Sequence, residues 1–371
     1  MQLDNKSFYS LALQIAGEGR DTARPWADPP TRGAGRVGVF VAWATLAAEQ
    51  APPDHRDALA RVVRDAAIVD AWQTAAAARG LSALHAAGIP TLVMKGAALS
   101  WTCYPEGHLR PRNDDDLLVP RDRFDAAVAT LVAAGYRVET QVDAEAVSRQ
   151  RHLSRALPWG THHVDLHWWP LNPVAFDRLP DFAALAAEAV PLAALGAAAR
   201  APGPVHTLLL LCAHRVAHHT PTEDPQWLLD LHFAAARLAP ADWDRFVAVA
   251  RESRVARLCG VELTRARARL GTRVPTAALE ALAAVRGEPS ADHLIDRGPL
   301  YVQWLNLRHL SGLRARLALL RAHLFPSAAY MRARFGPTGA AALPWLYCRR
   351  TGRGLLRWLR EYARRIAGEV R

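Results

Sequence analysis

Residues 92–119, LVMKGAALSWTCYPEGHLRPRNDDDLLV, decide the fold class of this chain. Leu92-Val93-Met94 follows Ile89-Pro90 as a short apolar run with strand character, and it stops at Lys95-Gly96. A helix is expected from Ala97 to about Tyr104, followed by the polar loop PEGHLRPRN. Asp114, Asp115 and Asp116 then run directly into Leu117-Leu118-Val119, which reads as a second strand. On a strand, residues two apart share a face, so Asp114 and Asp116 are expected to project together, about 6.6 Å apart at Cα. Two carboxylates so placed suit a divalent cation that prefers hard oxygen ligands. An acidic triplet by itself equally describes a solvated turn or a helix N-cap. Its continuation into a strand favours the metal site.

Outward from this stretch the strand and helix patterns alternate. A helix is expected from about Arg121 to Ala134, and YRVET after Gly135 reads as a strand. HLSRALPWGTHHVDLHWW (152–169) reads as two strands joined around Pro158-Trp159-Gly160. In the second strand Val164, Leu166 and Trp168 share one face, and Asp165 and His167 share the other. Asp165 is therefore the third carboxylate that can complete a two-metal clamp for phosphoryl transfer, and His167 borders the acceptor or the phosphates. Lys95-Gly96 adds a turn where glycine permits close backbone approach and a helix N-terminus favours phosphate.

Composition bounds the rest. The chain has 371 residues, 51% hydrophobic and 22% charged, which fits two or three folded units and excludes a disordered or fibrous protein. Lys and Arg number 46 against 35 Asp and Glu, giving +11. Only Lys6 and Lys95 are lysines, so 44 of these bases are arginines. That bias reads either as a generic basic surface or as anion binding. Lys95 is then either a chance lysine or a compact point charge kept for phosphate. Cys103, Cys212, Cys259 and Cys348 form no CxxC pair, so neither a disulfide framework nor a zinc knuckle is expected. The first twenty residues lack a secretory pattern and no long apolar run follows, which predicts a soluble, cytoplasmic protein. The expected organisation is a helical region at 1–84 with an exposed loop near 19–36, a sheet core at 85–170, and a helical part at 171–371, helical almost throughout beyond Pro180.

LVMKGAALSWTCYPEGHLRPRNDDDLLVPRDRFDAAVATLVAAGYRV followed by HHVDLHWWP resembles the uncharacterised nucleotidyltransferase family of the polymerase-β-like superfamily. LCAHRVAHHTPTEDPQWLLDLHFAAA and HLFPSAAYMRARFG resemble its helical part and its Phe-Pro-Ser segment, extending the likeness from about residue 37 onward. The resemblance implies an α+β fold, a small mixed β-sheet nucleotidyltransferase core flanked by N-terminal helices and a larger C-terminal helical domain. It implies Asp114, Asp116 and Asp165 as catalytic metal ligands for two Mg²⁺ ions, with Mn²⁺ as the other option. Lys95, Gly96 and Arg110 then form the nucleotide-binding set, and a nucleoside triphosphate such as ATP donates to a small-molecule, sugar or peptide hydroxyl. Asp115 stands where the family has an apolar residue, which leaves open which two aspartates bind metal. The superfamily's serine after the glycine is absent.

Other residues support several readings. Cys212, His214, His218 and His219 share one expected helix, as a polar face lining the cleft with His214 on the acceptor side, as packing, or with Asp230 or His232 as a zinc site. The tryptophans near the motifs suit core packing better than base stacking. Residues 349–371 carry eight arginines and two glutamates, with Leu355, Trp358, Leu359, Tyr362 and Ile366 on one helical face. That helix either docks on the domain or touches an anionic membrane. Nucleic acid is not the expected partner. The competing reading is a non-catalytic module of this fold that binds nucleic acid or a protein partner.

Overall fold

The structure, a computed structural model, describes residues 52–139, 148–218, 225–294, 299–336 and 342–366. The exposed loop expected near 19–36 and the rest of the expected helical region up to residue 51 lie outside these residues. Helix α1 (Pro53–Ala86) opens on proline at its first position, where a missing N–H breaks no intrahelical bond. Its 34 residues extend about 50 Å.

The sheet core follows in the expected order. β1 (Leu92–Met94) passes directly into α2 (Lys95–Thr102), and β2 (Asp115–Leu118) leads to α3 (Phe124–Ala133). β3 (Arg137–Val138), β4 (Gln150–Leu157) and β5 (Gly160–His167) complete the motif region. Helix α2 starts two residues earlier than the sequence suggests, because Lys95 itself makes the turn at φ +49°. A non-glycine residue in the left-handed region is uncommon and stores strain; among the described residues Arg254, at φ +54°, shares that conformation.

One expectation fails beyond Pro180. After the short helix α4 (Phe182–Ala187), β6 (Val190–Pro191) and β7 (Arg200–Ala201) add two strands to the sheet, β7 pairing with β1. Two-residue strands are too short to show alternation, and the surrounding alanines mimic a helix. The seven strands run in the order β3-β4-β5-β2-β1-β7-β6. β2 pairs parallel with β5 and antiparallel with β1, so the sheet is mixed.

Alternation divides the sheet into two faces. Val93, Leu117, Val164 and Leu166 pack with α1 and α3 around Leu84, Leu131 and Tyr136. Leu92, Met94 and Leu118 face the other way, into a core built with α5 (Pro204–His218), α6 (Pro225–Ala236), α7 (Asp242–Glu252), α8 (Ala256–Leu270) and α9 (Thr276–Ala283). Further on, α10 (Pro299–His309), α11 (Leu313–Leu324), α12 (Ala328–Phe335) and α13 (Leu343–Ile366) close the chain. Leu310 and Leu319 form a small cluster with Val174, which seats α10 and α11 on the rest.

Asp115 lies on the face of β2 that meets α1 and is 2% exposed. Its carboxylate accepts from Arg112 Nε at 2.8 Å and from His162 Nε2 at 2.7 Å. Arg112 Nη1 reaches Asp70 of α1 at 2.6 Å, and Tyr136 Oη lies 2.8 Å from His162 Nδ1. Burial and the Asp115 charge push Tyr136 up to about 12, so its hydroxyl stays protonated and donates to Nδ1, leaving Nε2–H for Asp115. Gly80 of α1 makes room for that hydroxyl, which would sit 3.3 Å from an added Cβ. Both Asp115 oxygens are thus spent inside the sheet-helix seam. Arg112→Leu would strand two acidic partners and should lower unfolding free energy by about 3–5 kcal/mol, read by urea denaturation. A loss under about 1 kcal/mol would show that the network does not brace the sheet.

Candidate active site

β2 and β5 run side by side and parallel, with Asp116 opposite Asp165 and Leu118 opposite His167. Met94, the residue before Lys95, pairs with Asp116 from the other side. This register puts the end of β1, the acidic end of β2 and the Asp165-His167 pair of β5 at one place on the sheet. Because the parallel strands are aligned, Asp116, Asp165 and His167 emerge on the same face. Each of the three offers a ligand atom within 4.8 Å of the others, and all three are buried.

Lys95 Nζ lies 2.6 Å from Asp116 Oδ1, and His167 Nε2 lies 2.9 Å from the same oxygen. Burial opposes the Asp116 charge, but the Lys95 ammonium and the His167 hydrogen bond hold its carboxyl well below the usual carboxylate range. Burial and the nearby Lys95 charge push His167 down, toward the neutral imidazole. With Nε2–H donating to Asp116, His167 Nδ1 is buried with no hydrogen-bond partner. Asp165 is held from β4, where His152 Nδ1 bonds Oδ1 and Gln150 Nε2 donates to Oδ2 at 3.2 Å. That bond to Asp165 is the main reason that His152 is raised above its ordinary value. Asn172 Nδ2 fixes Gln150 in turn at 2.8 Å.

Asp114 precedes β2 and is exposed at its mouth. Loss of hydration and the neighbouring Asp116 and Asp165 charges push it up to about 6. The three aspartates therefore divide: Asp116 is buried in the site, Asp114 stands at its rim, and Asp115 points to the opposite face. His167 joins the ligand group from the position beside Asp165.

Gly96 lies against the loop that follows α2. An added Cβ would approach Arg110 Nη1 and Arg112 Cβ to 3.3 Å each. Arg110 itself is bidentate on Asp230 of α6, with Nε at 2.9 Å from Oδ1 and Nη2 at 2.8 Å from Oδ2. Tyr104 Oη donates to Asp230 Oδ1 at 2.6 Å and accepts from Gln226 at 2.8 Å. His214 is half-buried on α5. The zinc reading finds no support in its other ligands: Asp230 is committed to Arg110 and Tyr104, and His232 Nδ1 pairs with Thr272 at 2.9 Å. The His218 side chain and His219 lie outside the described residues.

No sequence motif marks His152, Gln150 or Asp230 as part of the cleft. The period-two spacing of Gln150, His152 and Ser154 offers a signal for the first two, since such residues share a strand face. Asp230 bears on the cleft only through a contact 120 positions away in the chain.

The profile of a family described as an uncharacterised nucleotidyltransferase matches residues 39–271. The chain belongs to that nucleotidyltransferase family. Comparison with curated proteins gives no match. The matched segment holds Lys95, Gly96, Arg110, the three aspartates, Asp165 and His167, and ends before the Phe-Pro-Ser segment at 325–327.

The donor set fits the divalent cation that nucleotidyltransferase chemistry implies. Two carboxylates supply hard oxygen, His167 supplies a ring nitrogen, and the crowded charge that helps to raise Asp114 would be relieved by a cation. Without one, ionised Asp114 is a repulsive charge. Its folded value, about 6, lies above the unfolded value of about 3.9, so its contribution to stability is full below pH 4 and is lost as pH rises through 6. Asp114→Asn should accordingly stabilise the chelator-treated protein by about 1 kcal/mol at pH 7.5, after screening at this exposed position, and leave it unchanged near pH 4. Thermal melts at both values check this, and a less stable variant at pH 7.5 contradicts it.

Proposed function

We propose that this protein is a Mg²⁺- or Mn²⁺-dependent enzyme that transfers a nucleoside monophosphate from a triphosphate, ATP among the candidates, to a hydroxyl of a small molecule, sugar or peptide. The observation that carries the reading is the in-register pair Asp116 and Asp165, joined by His167, at the foot of the Lys95-Gly96 turn. Asp116, Asp165 and His167 would hold one cation, and Asp114 with Asp116 would face a second. When bound, such ions neutralise phosphate charge and stabilise the attacking and leaving oxygens of an in-line displacement.

The chain's own groups do the rest. Asp165, kept in place by His152 and Gln150, orients the acceptor hydroxyl and takes its proton. The acceptor oxygen forms a bond to the α-phosphorus as the bond to the β-phosphate bridging oxygen breaks, and pyrophosphate leaves. Lys95 exchanges its contact with Asp116 for the triphosphate, where a compact ammonium serves as a point charge. Arg110 acts at one remove, holding the Gly96 turn against α6 through Asp230. His167 borders the acceptor side from β5, and His214 does so from α5.

Radiolabelled α-phosphate transfer into a metabolite and peptide pool, with each of the four triphosphates and Mg²⁺ or Mn²⁺, tests the reading. Asp116→Asn and Asp165→Asn should each lower transfer by at least about 100-fold. Lys95→Met should weaken triphosphate binding measured by calorimetry. Chelation should abolish transfer, and added cation should restore it. Undiminished transfer by both aspartate variants would eliminate this site.

A further inference from the structure

The charge of this chain is not spread evenly. Residues 299–371 contain fourteen arginines, no lysine, no aspartate and two glutamates, which amounts to +12 against +11 for the whole protein. The 298 residues before them are thus close to neutral. This basic segment lies wholly beyond the matched residues 39–271, and none of the cleft residues described above belongs to it.

Within the segment, α11 carries an apolar stripe that no other described residue covers. Leu313, Leu317, Leu320 and Leu324 are 72%, 55%, 40% and 43% exposed, and Phe325 beyond the helix end is 63% exposed. Their spacing of four, three and four residues gathers the leucines within an arc of roughly 60° at 100° per residue. The opposite face of the same helix is the one that packs: Leu319 is buried, with Ala315 and Ala322 against the same small cluster. Arg314 and Arg321 flank the stripe on one side and Arg316 on the other, all three exposed. At the C-terminal end of α11, the Phe325 ring lies 5.9 Å from that of Tyr347 on α13, whose Trp345 is 60% exposed.

We propose that α11 is a peripheral docking surface for an anionic lipid bilayer. A helix that lies in a membrane interface presents a narrow apolar face bordered by bases, with aromatic side chains at the boundary. Nucleic acid would use the arginines but give the leucines nothing to enter. A second copy of this chain would cover the leucines but bring two strongly positive segments together. An anionic bilayer satisfies both features, since the leucines enter the acyl boundary as the arginines meet headgroup phosphates. None of the described helices is long and apolar enough to cross a membrane, so the attachment is to the surface. In the sequence such a contact is one of two readings of the terminal helix; the structure adds α11 and its exposed leucines.

Co-sedimentation of the full chain with phosphatidylcholine vesicles containing 25% phosphatidylglycerol, against phosphatidylcholine alone, tests this without reference to nucleotide. The intact protein should pellet with the anionic vesicles and stay in solution with the neutral ones. Leu317→Asp/Leu320→Asp should release it, and Arg314→Glu/Arg321→Glu should weaken binding at least 20-fold, at about fivefold per surface arginine. Both pairs are exposed, and thermal melts establish that each variant is folded. Triphosphate binding, measured by calorimetry, should be unchanged in both. Failure of the intact protein to bind anionic vesicles, or equal binding by the variants, overturns the proposal. So does a dimer in sedimentation that the leucine variant dissociates while vesicles are ignored, or a preference for RNA over vesicles in competition.

Discussion

Two negative charges adjacent in β2 are buried in opposite directions, and the organisation of the site follows from how each is neutralised. Asp115 goes toward α1 and is compensated permanently by Arg112 and His162. Asp116 goes toward the cleft and is compensated by Lys95 and His167. A buried carboxylate without partners costs several kcal/mol, so neither charge is tolerable alone. The period of two along the strand lets one short segment serve both as a structural brace and as a reactive edge. A slip of one residue would exchange the two roles and leave both carboxylates unmatched.

Much of this was legible in the sequence because the relevant signals are local. The strand character of Leu92–Met94, the run from acidic residues into Leu117-Leu118, and the alternation around Asp165 all survive in β1, β2 and β5. The facing of Asp165 and His167 follows from counting by twos. What the sequence left open is which strands become neighbours. The parallel pairing of β2 with β5 joins residues about fifty positions apart, and only that pairing puts Asp116 opposite Asp165.

The unread portions have identifiable physical causes. Asp115 looked like a disturbance of the metal motif because its partners, Arg112 and His162, are polar residues on opposite sides of it in the chain. The strands β6 and β7 have two residues each, too few for any periodicity. The support that His152 and Gln150 lend Asp165 depends on the antiparallel register of β4, which sets His152 directly opposite Asp165. The exposed leucines of α11 resemble any amphipathic helix until the structure shows which side is already occupied.

The clasp between Arg110 and Asp230 constrains how the cleft moves. One end of this ion pair belongs to the loop touching Gly96, the other to α6, and Tyr104 completes the Asp230 shell. Parting the sheet from the helices along this seam would abandon a nearly inaccessible anion in a medium that solvates it poorly. Hinge opening at that place is therefore the expensive route for admitting a substrate. Side-chain rearrangement at the rim is the less costly route, because Asp114 is exposed there and Lys95 is tied to Asp116 through its side chain and not its backbone.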